Sequence, residues 1–153
     1  AHLRVDLHPW QPLLAGDIAP VRPQRQYYEG LLSTVCTGLK QAVPGIIVSS
    51  PDASIYSVID VRDVAKPGFD AMAFVLYCAR QGKVELGGKA YTLLVSPMAG
   101  FYQVPEGTVN PGRTQMRISC TATPDELKMI PDLLAALLEQ YAHRDPTAAA
   151  AGC

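Results

Sequence analysis

Apolar residues recur every three to four positions in three stretches of the chain, and this periodicity predicts three helices. The first stretch begins at Gln24 and is stopped by Val-Pro-Gly at 43–45. The second covers 66–83, with Pro67 at its start and Gly82 near its end. Proline at the first helical position loses no hydrogen bond, and glycine commonly ends a helix, so both residues favour these boundaries.

The third helix is predicted from a capping box followed by a long apolar stripe. Thr123 stands three residues before Glu126, with Pro124 between them, which is the typical spacing of such a box. Pro131 is expected to kink this helix or to mark a frayed first turn. The predicted buried stripe consists of Leu127, Ile130, Leu134, Leu137, Leu138 and Tyr141.

Shorter segments show the two-residue alternation of strands. They are Ile46–Val48, residues 51–61, a hairpin of Val84–Leu86 and 90–95 around Gly87-Gly88, and the segment that follows Asn110. Strands joined by short turns and separated by helices predict an α+β fold, with a small, mostly antiparallel sheet and helices packed on one face.

The last of these strands lies in NPGRTQMRIS, residues 110–119, and carries two arginines four residues apart. Alternation predicts one polar face, made of Arg113, Gln115, Arg117 and Ser119. It predicts a second face that can be buried, made of Thr114, Met116, Ile118 and Cys120. From spacing alone two interpretations stay open. The arginines are either exposed strand residues paired with local acids such as Glu106, or donors of an anion site.

Composition limits the classes of partner. Thirteen Lys and Arg against fourteen Asp and Glu leave a net charge of −1, which does not favour nucleic acid or an anionic membrane. No apolar run reaches the ~18 residues of a membrane span. The length of 153 residues predicts a single folded domain. We expect a proline-rich connector at 1–24, one core at 25–145, and a disordered tail at 146–153.

The four cysteines are scattered without a metal-binding spacing, which favours free thiols in a reducing compartment and no metal site. The first residues lack the basic and apolar regions of a signal peptide, so the predicted location is cytoplasmic.

No motif of a catalytic nucleophile or of a phosphate-binding loop is present. Three histidines, His2, His8 and His143, lie in polar terminal stretches, where a solvated side chain is expected. Three acids near the second helix are expected to favour its dipole: Asp60, Asp63 and Asp70. No catalytic residue is therefore predicted in this chain.

The order of several segments resembles a known family. PDASIYSVIDV, then a helix, GKVELGG, TLLVSPMAGFY and QMRIS ahead of a capped helix are similar to the C-terminal small domain of fold-type I, class I/II aminotransferases, which depend on pyridoxal 5'-phosphate. The resemblance covers roughly residues 25–145. In that family the arginine of the R-I-[AS] strand binds the α-carboxylate of the substrate, and here that position is Arg117.

The resemblance also implies what other parts of a complete enzyme would supply. A large domain holds the cofactor and the Schiff-base lysine, and the complete enzyme is a homodimer that transfers an amino group between an amino acid, with aspartate as a candidate, and a 2-oxo acid. No lysine here stands in the family's S-x-x-K setting, so this chain alone is expected to bind no cofactor and to be inactive. Arg113 has no family counterpart and is expected to anchor the loop.

Two alternatives to this hypothesis stay open. One is a stand-alone α+β module that binds an amino acid and regulates a partner. The other is a degenerate relative of the aminotransferases that serves only as a scaffold.

Overall fold

The computed structural model describes residues 22–52 and 54–144, which form three α-helices and six short strands. Most of the proline-rich connector, with His2 and His8, lies outside the described residues, as does the tail. The elements in chain order are α1 (Arg22–Ala42), β1 (Ile47–Val48), β2 (Tyr56–Asp60), α2 (Ala71–Arg80), β3 (Val84–Leu86), β4 (Lys89–Tyr91), β5 (Ser96–Pro97), β6 (Gln115–Ser119) and α3 (Pro124–His143).

Four of the strands form one antiparallel sheet in the order β1-β2-β6-β5, and β3 and β4 form a separate hairpin. In the centre of the sheet Val58 lies opposite Arg117, and Ile59 lies opposite Met116. Arg117 also lies opposite Ser96 of β5. The predicted α+β class with a small, mostly antiparallel sheet is confirmed.

One face of the sheet belongs to the hydrophobic core. Its buried residues are Val48, Ile59, Met116 and Ile118, and they join the apolar stripes of the three helices. Of the residues predicted on the buried face, Met116, Ile118 and Cys120 are buried. Thr114 is only partly buried and belongs to a 3₁₀ helix that precedes the strand. Burial of such side chains is worth about 1.5–3 kcal/mol each, so it fixes which face of each strand points inward.

The first and third helices pack closely where a glycine meets a proline. A Cβ at Gly38 of α1 would lie 2.7 Å from the Cγ atom of Pro131. Pro131 is buried inside α3, so it does not mark a frayed first turn, and the helix continues to His143. The predicted capping box is confirmed, since Thr123 and Glu126 each accept from the other's backbone N–H.

Several predicted boundaries differ from those of the structure; the strand predicted over 51–61, for example, covers only Tyr56–Asp60. Helix α1 begins at Arg22, two residues before the predicted start at Gln24. Helix α2 begins at Ala71 rather than at Pro67, because Gly68 turns the chain with a φ of +84° and Asp70 then caps the helix. The hairpin ends at Tyr91, beyond which the Thr92 hydroxyl donates to the carbonyl of Cys78 at 2.9 Å.

Candidate functional site

The second face of the sheet carries a mixture of polar and aromatic side chains. The strand register places on it Ile47, Tyr56, Val58, Asp60, Ser96, Gln115, Arg117 and Ser119. We call these residues the open face, because they lie on the side of the sheet opposite the helices. Two large side chains are exposed on it, the apolar Ile47 and the aromatic Tyr56.

Arg117 lies near the middle of the open face and contacts two aromatic rings. Its guanidinium carbon is 4.5 Å from the centroid of Tyr56 and 5.2 Å from that of Phe101, which lies on a short 3₁₀ helix, Ala99–Phe101. Both distances are within the range of a cation–π attraction, which holds the cation against the rings without neutralising its charge.

The hydrogen-bonding capacity of Arg117 is not satisfied by the described residues. Its Nε atom is buried and has no hydrogen-bond partner among them, and none of their ion pairs includes this arginine. A buried N–H without an acceptor costs about 1–3 kcal/mol, which the described residues leave uncompensated. A carboxylate matches the planar fork of donors best.

A second polar cluster surrounds Asp60, at the end of β2. Its carboxylate is 3% exposed and accepts from the backbone N–H of Arg62 at 3.0 Å and from that side chain's Nε at 2.8 Å. It also accepts from the Thr114 hydroxyl at 2.7 Å and the Gln115 amide at 3.0 Å. Burial alone would raise the pKa of Asp60, but the hydrogen bonds from Arg62, Gln115 and Thr114 outweigh it and lower the pKa to about 2.

This cluster stabilises structure and offers no proton for catalysis. Asp60 stays ionised at neutral pH, and its five donor groups leave it no free position for a reacting group. The expectation that Asp60 favours a helix dipole is wrong, because it ends a strand and pairs with Arg62. Asp70, by contrast, caps α2 by accepting from the Ala73 N–H at 3.0 Å, as expected for an acid at a helix start.

Arg113 lies away from Arg117 and outside the sheet. It belongs to a second 3₁₀ helix, Pro111–Thr114, so the alternation of the strand begins only at Gln115. Its Nε lies 3.6 Å from Asp70 Oδ2, and Asp70 rather than Glu106 is therefore its acidic partner. The predicted shared face of Arg113 and Arg117 is wrong, because the Asn-Pro-Gly turn continues as a 3₁₀ helix instead of entering the strand.

The aromatic neighbours of Arg117 were not predicted. Alternation places Tyr56 on the same face as Asp60, but its contact with Arg117 depends on how β2 and β6 are aligned. Phe101 lies in a connection without periodicity, where the sequence carries no signal for its position.

The chain offers five lysines as candidates for a Schiff base with pyridoxal phosphate. All five lysines of the chain are described and exposed, and none is on the four-stranded sheet that bears Arg117: Lys40, Lys66, Lys83, Lys89 and Lys128. Lys66 donates to the carbonyl of Ala142 at 2.6 Å, and Lys128 pairs with Asp125.

The described residues also lack a cluster of metal ligands and a helix that could cross a membrane. Between 22 and 144, Ala53 apart, no three His, Cys, Asp or Glu side chains are grouped as metal ligands would be. His143 is exposed at the end of α3, with its Nδ1 2.9 Å from the carbonyl oxygen of Glu139. None of the helices described there combines the length and the hydropathy needed to cross a bilayer.

Comparison of the sequence with models of known protein families finds no match, and comparison with curated proteins finds none.

Proposed function

We propose that this chain is the small domain of an aminotransferase that depends on pyridoxal phosphate, and that Arg117 binds the α-carboxylate of its amino-acid or 2-oxo-acid substrate. One observation carries the proposal: a guanidinium on a rigid strand, on the open face of the sheet, lacks an acidic partner among the described residues. The order of the motifs from residue 51 to residue 119 supports the same family.

The task of Arg117 in such an enzyme is to fix the direction of the substrate. Two parallel hydrogen bonds to a carboxylate remove its rotation, so that the Cα bond to be broken is presented in one orientation. Bound pyridoxal phosphate would supply the chemistry of amino-group transfer, and the domain that holds it would also hold the required lysine. Tyr56 and Phe101 hold the guanidinium by cation–π attraction.

Direct observation of the Arg117 N–H group tests the carboxylate part of this proposal. We expect that titration of the ¹⁵N-labelled chain with acetate, pyruvate and aspartate moves the Nε–H NMR signal of Arg117 and saturates. Because a hydrogen bond to a charged group is worth about 1.5–3 kcal/mol, Arg117→Lys should raise Kd about 10- to 100-fold. Arg80→Lys is the matched control, since Arg80 is an exposed arginine on α2. An unchanged Kd in Arg117→Lys would contradict the proposal.

A second measurement tests the assignment to an aminotransferase. The chain alone, treated with pyridoxal phosphate and borohydride, should give no stoichiometric lysine adduct and no transamination. In the longer polypeptide that the proposal requires, Arg117→Lys should lower kcat/KM by orders of magnitude for every amino-acid substrate. Transamination by the isolated chain would refute the division of roles between two domains.

A stand-alone amino-acid-binding module is the second candidate. It is favoured by the fact that Arg117 and both rings beside it belong to this one chain. The affinity of the isolated chain separates the two candidates. Saturation by an amino acid at micromolar concentration would favour the module, whereas the half-site of an aminotransferase should require millimolar concentrations.

A further inference from the structure

The loop that precedes β6 contains a compact junction of two 3₁₀ helices. The side chain of Asn110 accepts from the Gly112 N–H at 2.8 Å and donates to the carbonyl of Ala99 at 2.9 Å. It thereby joins the start of Pro111–Thr114 to the start of Ala99–Phe101, although the two segments are separated in sequence. We call Asn110, Gly112 and Ala99 the loop junction.

Close backbone contact makes this junction specific for glycine. A Cβ at Gly112 would lie 2.6 Å from the nitrogen and 2.7 Å from the Cα of Ala99. Both neighbouring atoms belong to the backbone, so they cannot move aside as the end of a side chain could. Only glycine therefore allows the two 3₁₀ helices to approach this closely.

The loop junction is also attached to the sheet beside Arg117. The Met98 N–H donates to the carbonyl of Gln115 at 3.0 Å, and the Tyr102 hydroxyl donates to the Gln115 side chain at 2.5 Å. The segment that carries Phe101 is therefore held at both of its ends.

Phe101 is otherwise weakly held, since its side chain is 62% exposed. An exposed aromatic ring gains little from burial and would be expected to rotate freely. Its position 5.2 Å from the guanidinium carbon of Arg117 depends on the placement of the backbone beneath it. That backbone is the segment that Asn110 and Gly112 fix.

We propose that the loop junction and Phe101 act as positioning residues for Arg117. The junction sets the backbone of Ala99–Phe101, Phe101 holds the guanidinium together with Tyr56, and the donor fork is held ready for a carboxylate. This inference rests on the proposed function of Arg117. It implies that the Asn-Pro-Gly turn, although uncharged, contributes to the affinity of Arg117 for a carboxylate.

Ring substitutions at position 101 show whether Phe101 positions Arg117 through its cation–π contact or only fills space beside it. Phe101→Leu should weaken acetate binding about two- to fivefold, because it removes the cation–π attraction from an exposed ring. Phe101→Tyr keeps that attraction and should restore the affinity. Replacement of Phe101 by pentafluorophenylalanine should weaken binding as leucine does, although the ring keeps its shape. Equal affinities of all four proteins for acetate would overturn the role of Phe101.

Substitutions in the loop junction test whether the backbone that it fixes determines the position of the Phe101 ring. Asn110→Ala removes both hydrogen bonds and should weaken acetate binding about as much as Phe101→Leu. Asn110→Asp keeps only the acceptor for the Gly112 N–H. Its affinity for acetate should lie between those of Asn110→Ala and the unmodified chain. In Asn110→Ala combined with Phe101→Leu the two losses should not multiply, because both act through one contact. Multiplying losses would refute this step, as would an unchanged affinity in Asn110→Ala.

The same titrations distinguish failure of this inference from failure of the proposed function. If Arg117→Lys weakens acetate binding while the Phe101 and Asn110 variants bind normally, Arg117 keeps its role and the positioning inference fails. If Arg117→Lys also binds normally, the proposed function itself fails.

Discussion

The substitution Asp60→Asn tests whether the polar cluster at the end of β2 stabilises the fold through a charge. It keeps the shape of the side chain but removes the carboxylate that accepts from Arg62, Thr114 and Gln115. The pKa of Asp60 falls from its ordinary value of 3.8 to about 2 on folding. One pKa unit corresponds to about 1.4 kcal/mol, so the ionised form stabilises the folded state by about 2 kcal/mol.

The sign of the pH dependence follows from the direction of this change. Because the folded-state pKa is the lower one, the unfolded chain takes up the proton first as the pH falls. The stabilisation is therefore complete above about pH 5, declines as the pH falls through 4, and is lost below about pH 2. The free energy of unfolding of Asp60→Asn should be about 2 kcal/mol lower than that of the unmodified chain at pH 7. This difference should shrink towards pH 2.

Urea unfolding followed by circular dichroism at several pH values from 7 to 2 measures this difference. Asp63→Asn is the matched control, because Asp63 is an exposed carboxylate close by in the chain and should change the free energy of unfolding by less than about 0.5 kcal/mol. A gap between Asp60→Asn and the unmodified chain that stays constant over this pH range would refute the reasoning. So would equal stability of the two proteins at pH 7.

Two further predictions concern packing and thiol reactivity. Gly38→Ala should destabilise the fold by about 1–3 kcal/mol in urea unfolding, because its methyl group would lie 2.7 Å from the ring of Pro131. Gly30→Ala on the same helix meets nothing within 4 Å and should stabilise the fold by up to about 1 kcal/mol, so equal effects would contradict the packing argument. Burial raises the pKa of the Cys78 thiol from 9.0 to about 11, which lowers its thiolate fraction at pH 8 about a hundredfold. Peptide mapping after iodoacetamide treatment should find Cys78 modified at least that much more slowly in the folded chain than in urea, and comparable rates would refute its burial.

Local patterns predicted those parts of the fold that depend on neighbouring residues alone. The alternation in β6 correctly placed Met116 and Ile118 in the core, because side chains of a strand must point to opposite faces. The capping box at Thr123 needs only residues within one turn, and it was also predicted. The start of α2 was predicted too early because proline is tolerated at a helix start, while the turn at Gly68 that delays the helix depends on one backbone angle.

The candidate site depends on alignments that sequence periodicity does not contain. Arg117 was predicted on a polar face, and that face is the open one. Its contact with Tyr56 requires the register of β2 against β6, and its contact with Phe101 requires the loop junction at Asn110. The ion pair between Arg113 and Asp70 joins two segments whose approach is set by tertiary packing.

The order of strands in the main sheet has a consequence for how the chain folds. Its central pair joins β2 to β6, and the hydrogen bond between Asp60 and Gln115 spans 55 residues. Closing so long a loop costs entropy before the contacts repay it, so the sheet should form later than the three helices and the local hairpin of β3 and β4. During synthesis on a ribosome β2 would have to wait for β6 to emerge, and until then the backbone N–H and C=O groups on that edge of β2 would lack their strand partners.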